Sequence, residues 1–166
     1  MKKPTLIVAA VLAALATSAA IADTASSTFK VLITVTKACS VTAGTASNID
    51  FGSVTSTATA LSASSNISVT CSKSTPYNIG LLPSNNSTTG AGVMSNTGPD
   101  TIAYQLRSAS AAGPIWGNTA TPTDVGNGVA GTGTGAAQSI PVWATVASVN
   151  VTPGAYLDTV TVQVNY

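Results

Sequence analysis

The residues of this chain that could do chemistry are few. Its acids are Asp23, Asp50, Asp100, Asp124 and Asp158, and it contains no histidine and no glutamate. General acid or base work would fall to those carboxylates, to Tyr and to Lys. The abundant Ser and Thr cannot form a Ser-His-Asp arrangement without the imidazole. Asp50, Asp100, Asp124 and Asp158 each lie near Gly, Pro or the start of an apolar alternation, where turn and capping duties are the simpler explanation. Without His or Glu, and with two cysteines most simply paired, no tight zinc site can be assembled. The glycine-rich run Gly128 to Gly135, GVAGTGTG, lacks the Lys-Ser or Lys-Thr ending and the strand-to-helix setting of a phosphate loop. Trp116 and Trp143 could belong to a sugar-binding surface, although packing in a core or at its rim is the simpler use. Asn66, Asn85, Asn86 and Asn150 open N-x-Ser or N-x-Thr triplets, which chance supplies in so polar a chain. The expectation is a non-enzyme with no catalytic, metal-binding or cofactor-binding residue.

The cysteines acquire meaning from the compartment. Lys2 and Lys3 precede an apolar run from Leu6 to Ala16 and small residues ending at Ala22, the order of a secretory signal peptide. The apolar run is shorter than the roughly 20 residues that span a bilayer. Cleavage is expected before Asp23, with Ala20 an alternative site. Removing 22 of the 166 residues leaves 144, enough for one domain with a real core. What remains carries Lys30, Lys37, Lys73 and Arg107 against five aspartates, a formal charge of −1. Such a surface exerts no pull on nucleic acid or acidic membranes. Cys39 and Cys71, both in the exported part, are most simply a structural disulfide, since a redox or metal pair would sit closer in sequence.

The elements that must position these residues read as short strands. Ile67, Val69 and Cys71 share a face of NISVTC; Tyr77, Ile79 and Leu81 alternate in PYNIGLL; Ile102, Tyr104 and Leu106 alternate in TIAYQLRS; Ile140, Val142, Ala144 and Val146 alternate in SIPVWATVAS. Pro141 should face an edge or a bulge, having no amide hydrogen. Ile49 to Val54 is a further short strand candidate with Gly52 as a bulge. Ser84 to Asp100 reads as a loop, and Ala109 to Ala137 as turns with short extended pieces in which Ile115 and Trp116 touch the core. No amphipathic helix follows the signal, and the sum is an antiparallel sandwich.

Two segments alternate most strictly. DTVTVQVNY, Asp158 to Tyr166, puts Val160, Val162, Val164 and Tyr166 on one face, and no later strand is there to flank it. FKVLITVT, Phe29 to Thr36, puts Phe29, Val31, Ile33 and Val35 on one face. Eight residues reach some 26 Å, enough to cross a sandwich. Burying the four apolar side chains contributes about 6 to 12 kcal/mol, while ordering eight residues costs about 8 to 16 kcal/mol. A ready-made groove and ladder hydrogen bonds are therefore needed to tip the balance. On pattern alone, a strand donated to another copy and an ordinary first strand of a self-sufficient domain are equal readings.

Taken in order, FKVLITV before the first Cys, NISVTC, SIPVWATV and PGAYLDTVTVQVNY resemble the spore coat protein U domain family, which includes the pilins of archaic chaperone-usher pili. The resemblance implies an all-β, incomplete immunoglobulin-like sandwich lacking its final strand and completed by a donor strand from another subunit. It implies a signal peptide over 1–22, a donor segment over 23–36 and the domain over 37–166. Carried onto this sequence, Phe29, Val31, Ile33 and Val35 are the donor residues. Val160, Val162, Val164 and Tyr166 edge the acceptor groove, and Cys39 and Cys71 match the family's disulfide. The implied partners are neighbouring pilin subunits, a periplasmic chaperone and an outer-membrane usher, with export through the periplasm to a surface fimbrium serving adhesion or biofilm. A tip adhesin of this type has an additional N-terminal domain in place of a donor strand, so a shaft or linking subunit is favoured. A spore-coat-type structural role and a secreted carbohydrate-binding module are the alternatives. No part of residues 85–137 carries the resemblance.

Overall fold

A computed structural model describes residues 23–166; the expected signal peptide lies outside them. The chain divides into one unit ending at Thr34 and a second, Val35–Tyr166. Residues 23–34 belong to no sheet, and their side chains are exposed. The second unit holds eight strands and a single short 3-10 turn, Thr45–Ser47. The strands are β1 (Cys39–Thr42), β2 (Thr59–Cys71), β3 (Pro76–Pro83), β4 (Ala91–Ser95), β5 (Thr101–Ser108), β6 (Val129–Thr132), β7 (Ala137–Ser148) and β8 (Val160–Asn165).

They form a five-stranded sheet in the order β1-β2-β7-β5-β4 and a three-stranded sheet in the order β6-β3-β8. Every ladder is antiparallel. The long β2–β7 ladder, from Thr59↔Ser148 to Thr70↔Ala137, is the spine of the larger sheet. Alternation in β2, β5 and β7 sends Ile67, Val69, Ile102, Tyr104, Leu106, Val142, Ala144 and Val146 inward, where they meet Tyr77, Ile79 and Leu81 of β3. Outward positions such as Ser62, Ser64, Asn66 and Thr145 are polar, so a period of two separates core from solvent.

This is an immunoglobulin-like sandwich with one place empty. β1, β2, β7 and β5 take the positions of strands A, B, E and D, while β3 and β8 take those of C and F. Among the described residues no strand occupies the G position beyond β8, which pairs with β3 alone.

The structure departs from the sequence expectation at several places. Ile49 to Val54 forms no strand; Gly52 adopts φ +69° and donates its amide to Asp50 Oδ1 at 2.7 Å, turning the chain instead of extending it. β2 begins at Thr59, well before Asn66, because its Ser-rich first half is held by the β7 ladder and not by its own side chains. The loop expected over 84–100 contains β4, a short strand without a clear apolar alternation, fixed by β5. Ile115 is 43% exposed and Trp116 is fully buried, because adjacent residues of an extended piece face opposite ways. Pro141 lies one residue beyond the β5–β7 ladder, which stops at Ser108↔Val142, so no neighbour on that side requires its missing amide hydrogen.

Candidate functional site: an uncovered cleft between the sheets

Chemistry in the ordinary sense is spent on turns. Asp50 Oδ1 and Asp124 Oδ1 each accept the amide of the glycine two residues on, at 2.7 and 3.0 Å. Asp100 Oδ2 accepts the Thr152 amide at 2.9 Å and its hydroxyl at 2.5 Å. Those hydrogen bonds hold the Asp100 carboxyl below its ordinary range. Among the described residues no three His, Cys, Asp or Glu side chains cluster as a metal site would need.

The cysteines form a disulfide, Cys39 to Cys71, with Cα atoms 4.1 Å apart. They are directly opposed residues of β1 and β2. β1 has β2 as its single neighbour, so the bridge fixes an edge strand of four residues to the strand that organises the larger sheet. Ala38 adds a two-way tie, its amide donating to Ser72 Oγ at 3.0 Å and its carbonyl accepting the Ser72 amide at 2.9 Å.

The feature that stands out is a cleft of about 550 Å³ running into the core. One rim is the stretch from Ala43 to Phe51 that follows β1, and the other runs from Tyr156 to Val162. Its floor is Ile67, Leu81, Tyr104, Leu106, Val142 and Ala144, drawn from both sheets. These residues are core by composition and position, yet a cavity of this size reaches them. The floor side chains are themselves only 1% to 7% exposed, but Ile49, Phe51, Met94, Tyr156, Val160 and Val162 around them are only partly buried, and a concave apolar lining of this kind marks a binding surface.

The start of β8 completes the second rim, and among the described residues its other backbone edge is unpaired. Of the expected groove-edge residues, Val160 and Val162 line the cleft. Val164 packs on the core outside it. Tyr166 lies beyond the end of β8, 39% exposed, with Lys37 Nζ 5.7 Å from its ring centroid. The expected donor residues are unpaired: Phe29, Val31, Ile33 and Val35 are between 82% and 88% exposed, as is Leu32 on the alternate face at 83%. The sequence did not link Asp158 to Tyr104. Tyr104 Oη donates to Asp158 Oδ2 at 2.6 Å, and both residues line the cleft. Alternation placed Tyr104 inward, but nothing in the pattern linked it to an acid 54 positions away.

Of the two tryptophans, Trp116 is completely buried and its indole Nε1 donates to the Ile79 carbonyl at 2.9 Å. It is a core residue and offers no surface to a sugar. Trp143 is half-buried on the outward face of β7, opposite Ser64 and Arg107.

Fold and cleft together define a class: an incomplete immunoglobulin-like domain with an open strand edge beside an apolar cleft. The chain belongs to the Spore Coat Protein U domain family, whose model matches residues 25–163. Among solved structures it is similar to the crystal structure of the CsuC-CsuE chaperone-tip adhesion subunit pre-assembly complex from archaic chaperone-usher Csu pili of Acinetobacter baumannii. The identity is 24% and the TM-score 0.49, over 80% of this chain and 40% of that one. No curated protein matches the chain.

Proposed function

We propose that this chain is a structural subunit of an archaic chaperone-usher pilus that polymerises by accepting a strand from a neighbour and donating one of its own. The observation that carries the reading is the cleft of about 550 Å³ beside the free edge of β8. An extended segment seated there would pair with β8, complete the smaller sheet and cover the half-buried Ile49, Phe51, Val160 and Val162 of the rims. β-Strand addition supplies main-chain hydrogen bonds for affinity and alternate side-chain pockets for specificity. The segment from Phe29 to Val35 has the right alternation, is unpaired, and lies outside the domain unit except for Val35, the first residue of that unit.

On this reading residues 23–36 are the donor segment and 37–166 the domain. An unfilled groove needs protection before assembly, which is the task of a periplasmic chaperone lending a strand, and an outer-membrane usher exchanges that strand for the next subunit's. The protein is then exported behind a signal peptide, shown on the cell surface and not enzymatic, with adhesion or biofilm formation as the expected service of the fibre. The burial of Trp116 weakens the alternative of a carbohydrate-binding module.

The test is deletion of residues 23–36. The truncated subunit should still form the Cys39–Cys71 disulfide and still bind the chaperone, but should enter no fibre beyond a terminal position. Fibres of unchanged length, seen by electron microscopy of cells expressing the truncated form alone, would refute the reading.

A further inference from the structure

At one end of the cleft a single carboxylate gathers four donors from separate parts of the chain. Asp158, two residues before β8, accepts Tyr104 Oη of β5 at 2.6 Å on Oδ2. On Oδ1 it accepts the hydroxyl of Ser84, which follows β3, and the Thr159 amide at 2.7 Å. The Val93 amide of β4 also donates to it. β4 and β5 belong to the larger sheet, β3 and β8 to the smaller, so this carboxylate joins the two sheets. Beside it, the Ser95 and Leu157 amides donate to each other's carbonyls, both at 3.0 Å. The tyrosine reaches the acid across a glycine: a Cβ at Gly92 would stand 2.0 Å from the Tyr104 ring. Burial opposes ionisation of Asp158, but the hydrogen bonds from Ser84, Tyr104, Thr159 and Val93 outweigh it and hold the carboxyl below its ordinary range.

We propose that Asp158, acting through Tyr104, Ser84 and Val93, is a positioning residue that sets the separation of the two sheets at the mouth of the cleft, so that a strand-sized opening exists before any strand arrives. This rests on the reading of the cleft as a strand acceptor. In most sandwiches the spacing of the sheets is fixed by the side chains packed between them. Here a cleft of about 550 Å³ interrupts that packing, and something else must prevent the rims from collapsing over its floor. A charge-assisted cluster is suited to the task because its bonds are short and directional. An apolar contact at the same place would tolerate closure. Pre-forming the opening lowers the ordering cost of binding and so speeds uptake. Once a strand is seated, its own side chains separate the sheets and the tie becomes dispensable.

Besides Asp158, the titratable group in the cluster is Tyr104 on β5; Ser84 and Val93 bring none. Asp50 lies on the opposite rim, and among the described residues no lysine or arginine lines the cleft. The native carboxyl is depressed, so the tie is complete above the ordinary carboxylate range and is lost as pH falls through the lowered native value.

The experiment uses the full chain and a fluorescent synthetic peptide of residues 28–36. Uptake is followed by anisotropy for the native protein and for Asp158→Asn, Asp158→Glu and Tyr104→Phe, at pH 7 and down an acid series that runs well below the ordinary carboxylate range, to about pH 2. Asp158→Asn should slow uptake at pH 7 by about tenfold or more, since a charged hydrogen bond is lost. Tyr104→Phe should slow it severalfold, and Asp158→Glu should restore part of the rate. Native uptake should fall with acid while Asp158→Asn stays flat. Native uptake rates in both Tyr104→Phe and Asp158→Asn, or an acid profile identical in all forms, would overturn the proposal. Hydrogen exchange of the Val93 and Thr159 amides provides a readout that needs no peptide. Protection should vanish in Asp158→Asn, and in the native protein only at low pH. If the native chain takes up no peptide, the strand-acceptor reading fails, while exchange still decides whether the tie exists. Unchanged protection in the variants overturns the tie itself.

Discussion

The two margins of this sandwich are finished in opposite ways. On one, residues 114–118 stitch the sheets together. The Trp116 amide donates to Leu106 of β5 at 3.0 Å, the Leu81 amide of β3 donates to Gly117 at 2.8 Å, and the Trp116 indole fills the space between. On the other margin β8 ends the smaller sheet with an unpaired edge, and the space a side chain like Trp116 would fill is a cleft of about 550 Å³. The same inward alternation builds both margins. What separates them is whether a further piece of chain has been laid over the seam. A closed margin gives stability without a partner; an open one leaves stability to be supplied from outside.

The sharpest way to break this contrast is to unfill the closed side. Trp116→Ala should remove about 3 to 5 kcal/mol of folding stability, through lost transfer energy and the cavity left behind. It would also orphan the Ile79 carbonyl that the indole satisfies. Urea unfolding of the strand-filled domain measures it. A loss below 1 kcal/mol would mean that the margin is less tightly packed than its complete burial implies.

Next in size is the covalent bond that secures β1, an edge strand on the larger sheet. Replacing Cys39 and Cys71 together by Ser should cost about 3 to 4 kcal/mol, from the loop closed between positions 32 apart. The effect should be visible as a lower urea midpoint relative to the oxidised parent. Reduced parent and double variant should agree, since each lacks the constraint on the unfolded chain.

The comparison sharpens at Val162, the open-side counterpart of the closed-side core. It is half-buried on the cleft rim. In the unfilled domain Val162→Ala should therefore cost about 1 kcal/mol or less, against the roughly 1.6 kcal/mol expected for two fully buried methyl groups. After a peptide of residues 28–36 is seated, the cost should rise towards the buried figure. Equal costs in the two states would show that the strand does not cover this rim. The donor side offers the complement: Ile33→Asp in that peptide should weaken binding, because the groove would have to take up an unpaired charge.

Much of this contrast was legible in the sequence, and the reason is the period. Where alternation is strict, as in Tyr77 to Leu81, Ile102 to Leu106, Ile140 to Val146 and Val160 to Val164, the strands and their inward faces could be read directly. Where a strand consists mainly of small residues it leaves no such trace. β4, AGVMS, and β6, VAGT, are held by their neighbours' ladders, each adding a single large apolar side chain, Met94 and Val129, to the margin of the core. The closed margin was half legible: Trp116 is large and apolar enough to suggest a core role, but which of Ile115 and Trp116 faces inward depends on hydrogen bonds to strands far off in sequence. The Asp158 cluster was not legible, because its members are brought together by register alone.

The smallest effect lies outside both margins and calibrates the other measurements. Asp100 accepts the Thr152 amide and hydroxyl in the connection leading to β8, at a partly exposed position where solvent screens the carboxylate. Its native carboxyl is below the ordinary range. The stability it contributes is therefore present above the unfolded carboxylate value and is lost as pH falls through the lowered native value. Asp100→Asn should slightly flatten the acid limb of a plot of urea midpoint against pH, leaving the plateau near neutrality only slightly reduced. The change should be the same with the cleft empty or filled. If filling the cleft alters it, the connection before β8 moves when a strand is seated, and the open margin extends further along the chain than the cleft lining indicates.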